Sequence, residues 1–137
     1  MLFNSNKEKG RAGFSAAIAY FGMNGYNVSI PLNDTQDYDL IVEKDNIFQK
    51  VSCKATGYTA PSGNYALNLV TSGNGKTYGT VKSSSADLLF ALTEDKTMYL
   101  IPVKDILNNK SITLAKEKHK NANSNTLDTS VYIVNLF

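Results

Sequence analysis

Tyr38-Asp39-Leu40-Ile41-Val42-Glu43, the turn Lys44-Asp45-Asn46, and Ile47 through Ala55, which ends in Val51-Ser52-Cys53-Lys54-Ala55, form the stretch that decides the fold. Two runs of alternating apolar and polar residues flank a short Asp/Asn turn, and that pattern predicts a β-hairpin. Strand side chains repeat every two residues. Val51, Cys53 and Ala55 therefore share one face, and Phe48, Lys50, Ser52 and Lys54 share the other. Asp39 opens the first strand and Lys54 sits near the end of the second, so carboxylate and ammonium can meet across the pair. Judged by residue type, this is an ordinary cross-strand salt bridge, which is common in hairpins. The same pair can also hold a hard divalent cation and steady charge developing on a phosphate.

Working outward, Ala12, Ala16, Ala19 and Tyr20, with Phe14, Ala17, Ile18 and Phe21, recur at helical spacing. Ser5 or Asn6 is a suitable N-cap, and Gly22 and Asn24-Gly25 supply a stop, which predicts a helix from Lys7 to Met23. Tyr26 to Ile30 alternates and ends at Pro31, as an edge strand does. Tyr65 to Val70 reads as a further strand. Thr71 to Ser85 is rich in Gly, Ser, Thr and Lys, and is expected to be a disordered or functional loop. Leu88-Leu89-Phe90-Ala91-Leu92 is a continuous apolar run, the mark of a strand covered on both faces. Met98 to Ile101 follows as a strand, Val103 to Leu107 as one or two helical turns, and Val131 to Val134 as a last strand. The expected class is α+β: an N-terminal helix packed on a mixed β-sheet, in one domain spanning 1–137.

Composition bounds the function. With 137 residues, 42% hydrophobic and 19% charged, the chain has apolar matter enough for a core, which excludes a disordered chain. No run is long enough for a membrane span, and the opening residues lack the order of a secretory signal. The lone cysteine, Cys53, is expected in a reducing, cytoplasmic setting, as a small core residue. One cysteine and one histidine, His119, exclude a Cys/His zinc site, and His119 reads as a surface residue. A net charge of +2 means that nucleic-acid binding must come from local clusters. Lys7, Lys9 and Arg11 at the first helix, and Lys76 and Lys82 in the Gly/Ser-rich segment, are the candidates. Each is equally readable as a solvated lysine or arginine.

Asp39-Leu40-Ile41 followed by Val51-Ser52-Cys53-Lys54 resembles the D…(D/E/Q)-x-K signature of the PD-(D/E)XK nuclease superfamily, and the likeness runs along the chain. Gly10 to Gly25 is similar to that family's first helix, Val28 to Leu32 to its next strand, and Ala86 to Leu92 and Tyr99 to Val103 to its later core. Small intron-encoded homing endonucleases are the nearer relatives in this resemblance, and archaeal Holliday-junction resolvases the more distant. The resemblance implies an α/β/α restriction-endonuclease-like fold and Mg²⁺-dependent hydrolysis of double-stranded or branched DNA. Asp39 would be the metal ligand, and Asp39, Ser52 and Lys54 the catalytic positions. Two positions depart from the pattern. Ser52 stands where the family has Asp, Glu or Gln, and Phe14 where a helix glutamate would be. The departures leave three outcomes: Ser52 suffices, Glu8 or Asp37 substitutes as a displaced acid, or the scaffold only binds DNA or a protein partner. One small domain offers one site, and a two-stranded target then calls for a homo-oligomer.

Overall fold

The computed structural model describes residues 3–73, 76–107, 110–118 and 126–137, with side chains left aside over 71–78; His119 lies outside the described residues. Helix α1 spans Asn6–Met23. Ser5 caps it by accepting the Glu8 N–H on its Oγ (3.1 Å), and the Glu8 carboxylate reaches back to the Asn4 N–H (2.9 Å). This reciprocal arrangement satisfies donors that the first turn leaves open. At the far end, Asn24 donates its side-chain amide to the Tyr20 carbonyl (2.8 Å), and Gly25 turns away at φ +84°. The last turn of α1 holds no basic residue. Lys44 supplies that charge from a neighbouring strand by donating to the Asn24 carbonyl (3.1 Å).

The strands follow in order: β1 Asn27–Ser29, β2 Leu40–Lys44, β3 Ile47–Thr56, β4 Tyr65–Asn68, β5 Val70–Gly73, β6 Lys76–Thr80, β7 Leu88–Thr93, β8 Met98–Pro102, β9 Ser111–Leu114 and β10 Ile133–Val134. Six of them form one sheet, in the order β1-β2-β3-β7-β8-β10. β3 and β7 run parallel, and the other pairs in this sheet are antiparallel. The β2–β3 turn places Asp45 and Asn46 at φ 53° and 65°. These residue types tolerate the left-handed region, and such a turn matches the strand twist. All six residues of β7 are buried.

That burial divides the core in two. Leu88, Phe90 and Leu92 pack toward α1 with Leu40, Val42, Val51, Ala17 and Phe21. Leu89 and Ala91 point the other way, into a second cluster with Leu67, Leu69, Tyr99, Ile101, Ile112 and Leu114. The β4–β9 ribbon contributes to that second cluster, so strands cover the face away from α1. Among the described residues, no helix is long and apolar enough to cross a membrane.

Three expectations are corrected. Within the segment expected to be a loop, β5 and β6 pair antiparallel and Val81 is fully buried, its N–H donated to the Leu69 carbonyl (2.9 Å). Backbone pairing, which needs no apolar side chains, orders it. The strand expected over Tyr65 to Val70 breaks at Leu69, whose N–H turns to the Lys110 carbonyl (2.9 Å). The strand expected from Val131 begins as a 3₁₀ turn, Thr129–Tyr132, capped by Asp128, which shortens β10 to two residues.

The tightest join between layers is at Gly13. A Cβ there would lie 3.1 Å from the Lys54 carbonyl oxygen and 3.3 Å from Ala55 Cβ. Gly13→Val is therefore expected to lower the unfolding free energy by about 1–3 kcal/mol through overpacking. At Gly10 an added Cβ meets nothing within 4 Å, and Gly10→Ala is expected to raise stability by about 0.5–1 kcal/mol through helix propensity. Urea unfolding midpoints measure both. A Gly13→Val protein as stable as the parent would contradict this packing of α1 on β3.

Candidate active site

The Asp39 N–H donates to the Val51 carbonyl (2.8 Å), and its carboxylate Oδ2 accepts the Cys53 N–H (2.7 Å). The side chain thus takes over from the backbone of β2 at the point where that strand stops pairing with β3. Leu40 faces Val51 in register, and both pack toward α1. Alternation then puts Asp39, Ser52 and Lys54 on the opposite face of the sheet.

Neighbouring contacts hold this frame. Asp37 accepts the Ser85 N–H (3.0 Å) and its hydroxyl, which fixes the approach to Asp39. Asp87 locks β3 from the other side, accepting the Lys50 N–H (2.8 Å) while donating its own N–H to the Lys50 carbonyl (2.8 Å). Lys50 also lies over the Tyr38 ring, 5.3 Å from its centre.

Lys54 is half-buried, and its ammonium makes neither a hydrogen bond nor an ion pair within 4.0 Å with any described residue. Asp39 and Lys54 instead feel each other's charge at longer range; Lys54 lines the cleft described below, and Asp39 does not. Surrounding protein raises the Asp39 pKa; the Cys53 N–H and the Lys54 charge oppose that rise without cancelling it, although the residue remains exposed to solvent. Burial likewise lowers Lys54, Asp39 opposes the change, and nearby Lys9 reinforces it. The Cys53 thiol is pushed far up by burial and then by Asp39, so it stays protonated and is no nucleophile.

Beside Lys54 a cleft of about 590 Å³ opens between α1, β3 and the β4–β9 ribbon. Lys9, Lys54 and Lys110 line it together with Asn6, Tyr58 and Asn68. Of the five basic residues singled out in the sequence, Lys9 reaches this cleft. Lys7 and Arg11 are exposed on α1 and do not line it. Lys82 donates to the Ile106 carbonyl and also lies off it. The side chain of Lys76 falls outside the described residues. Lys110, Asn68, Asn6 and Tyr58 were not foreseen. Asn68 and Lys110 meet only because β4 pairs with β9, a long-range event with no local sequence signal.

Of the two displaced acids, Asp37 has both oxygens on Ser85, whereas Glu8 holds the Asn4 N–H through Oε2 alone. Phe14 is half-buried and packs against the α1-side core, where a carboxylate would be costly. Among the described residues, no three of His, Cys, Asp and Glu gather as a metal site. The donors present are the second Asp39 oxygen and the hydroxyl of buried Ser52, which bonds no described residue. These are the oxygens a hard divalent cation would meet here, and magnesium can take a single carboxylate while keeping most of its waters.

Both charges cost stability where they sit. A raised Asp39 pKa means stability is full below the ordinary carboxylate pKa and is lost as pH rises through the folded value. A lowered Lys54 pKa means stability is full above the ordinary lysine pKa and is lost as pH falls through the folded value. Each shift disfavours the charged form of its residue. Asp39→Asn, which can still accept the Cys53 N–H, and Lys54→Met are therefore expected to melt at the parent temperature or above. Calorimetry checks this, and a clear drop in both would mean the pair is structural.

The family model described as PD-(D/E)XK endonuclease matches residues 4–132. No curated protein matches the chain. Among solved structures, the bacterial homing endonuclease I-Ssp6803I is similar at a TM-score of 0.74 and 25% identity, covering 95% of this chain and 89% of that one. A protein named MepB matches at a TM-score of 0.44 and 14% identity, over 88% of this chain and 95% of that one, too distant to carry an argument. Nucleases of this family generally use divalent metal ions. One helix on a mixed sheet, a hairpin with Asp39 and Lys54 on one face, and a match over nearly the whole length lead to one conclusion: the chain belongs to the PD-(D/E)XK endonuclease family.

Proposed function

We propose that the chain binds DNA at the lysine-lined cleft and hydrolyses a phosphodiester held between Asp39 and Lys54. The observation that carries this reading is the Lys54 ammonium, half-buried, free of any described partner and lining the cleft. A cation kept unpaired in a partly dry site is set to receive an anion. Lys9 and Lys110 add positive charge at the same cleft, so the backbone phosphate can dock on ammonium groups without a metal.

In the reaction, water attacks phosphorus, the bond to the leaving oxygen breaks, and a proton passes to that oxygen or to solvent. Lys54 is placed to offset the extra negative charge on the phosphoryl oxygens as attack proceeds. Asp39, fixed by the Cys53 N–H, orients the attacking side. Asp39, with the Ser52 hydroxyl, would hold a magnesium ion, which would supply Lewis-acid charge for the hydrolysis. A homo-oligomer, with one site for each strand, completes the reading.

A specific observation favours a second reading, a module that binds DNA without cutting it: Ser52 and Phe14 supply no carboxylate, Asp37 is bonded through both oxygens to Ser85, and no three acids gather around Asp39 among the described residues. Plasmid nicking in Mg²⁺ and in Mn²⁺ separates the two. Hydrolysis that falls by about 10²–10³ in Asp39→Ala and in Lys54→Ala supports the enzyme. Salt-sensitive binding with no nicking supports the module. In EDTA, the full chain is expected to bind DNA still, and Lys54→Gln to reduce the salt slope by about 1. A chain that binds no DNA at low salt would sink both readings.

A further inference from the structure

We propose that the cleft receives a single unstacked nucleotide, its phosphate on Lys9 and Lys54 and its base against the ring of Tyr58; the inference rests on DNA being the ligand. Tyr58 stands apart from the other tyrosines whose side chains are described. Tyr20 and Tyr26 pack on Phe21, Tyr38 underlies Lys50, and Tyr65 joins the second core cluster. Tyr99 donates its hydroxyl to Ala115, and Tyr132 to Asp105. Tyr65, like Tyr58, has no ring partner and no bonded hydroxyl within the described residues, but Tyr58 alone among these tyrosines also joins neither core cluster, and it is 66% exposed.

Its main chain is nonetheless fixed. The Tyr58 N–H donates to Thr56 Oγ1 (3.1 Å), and its carbonyl accepts the Ala66 N–H (2.9 Å). Thr56, itself buried, donates its hydroxyl to the Ala66 carbonyl (2.7 Å). A scattered exposed aromatic means little. An aromatic on a rigid support at the rim of a cleft that also holds the unpaired ammonium of Lys54 is a stacking platform. Asn68 adds polar reach, because its Oδ1 is taken by the Val70 N–H (2.9 Å) while its amide nitrogen bonds no described residue. A base inside a duplex is already stacked on both faces and cannot also lie on Tyr58. The nucleotide must therefore be single-stranded, or extruded at a gap or flap.

The test measures anisotropy of the full chain in EDTA, against a labelled single-stranded oligonucleotide, the blunt duplex of the same sequence, and that duplex carrying a short flap. Tyr58→Ala is expected to weaken binding of the single strand and the flap about 5- to 150-fold. Tyr58→Phe is expected to keep parent affinity, and blunt-duplex binding to change less than about twofold in either variant. Unchanged single-strand affinity in Tyr58→Ala, or an equal loss for all three DNAs, overturns the proposal. Should Lys54→Gln weaken binding while Tyr58→Ala does nothing, the nucleotide site falls and the DNA reading stands. If no DNA form binds at low salt, both fall together.

Discussion

The hydrogen bond from the Cys53 N–H to the Asp39 carboxylate (2.7 Å) is the contact on which the site depends. β2 stops pairing at Leu40, yet β3 continues to Thr56, which leaves one edge of β3 open beyond Val51. The open edge is what lets a side chain, and then a substrate, approach the strand. Asp39 fills its first position and in doing so is held beside Lys54 without closing an ion pair on it. Had the two side chains met, the lysine would be spent on the protein's own carboxylate.

Positive charge outweighs negative at this point. Asp39 feels Lys54, Lys9 adds its charge to Lys54, and Lys110 lies along the same cleft. Surrounding protein favours the neutral form of Asp39, although it stays exposed, and of half-buried Lys54, so the charged form of each carries a cost. A bound phosphodiester would relieve the lysine's share of that cost, and a cation shared with the phosphate the carboxylate's share. On the proposed reading, Phe14 and Ser52 take the place of acids that would hold a metal in the free protein; metal affinity would then depend on bound DNA, with the lysines making the first encounter.

Much of this was readable from local pattern. The Ser5 cap, the Asp45-Asn46 turn and the all-apolar run at Leu88 to Leu92 are short-range signals, and each marks an element within a residue or so of its place. The two-residue period was enough to put Ser52 and Lys54 on one face, and the turn put Asp39 beside them. What stayed hidden came from contacts between distant segments. Asn68 and Lys110 join the cleft through the β4–β9 pairing, and Glu8, Asp37 and Lys82 are occupied by backbone or side-chain partners that composition does not reveal. The β5–β6 hairpin was missed because its polar residues pair through their backbones, which leaves no hydrophobic period to detect.

If Asp39, Cys53 and Lys54 form one phosphate-receiving site, the amide signals should say so. Two-dimensional NMR of the ¹⁵N-labelled chain, followed as a short DNA is added in EDTA, is predicted to shift the Cys53 and Lys54 amides together with those of the first turns of α1. The amides of Asp45, Asn46 and Val134 should stay in place. Shifts gathered at the hairpin tip or along β10, with Cys53 and Lys54 unmoved, would contradict the account.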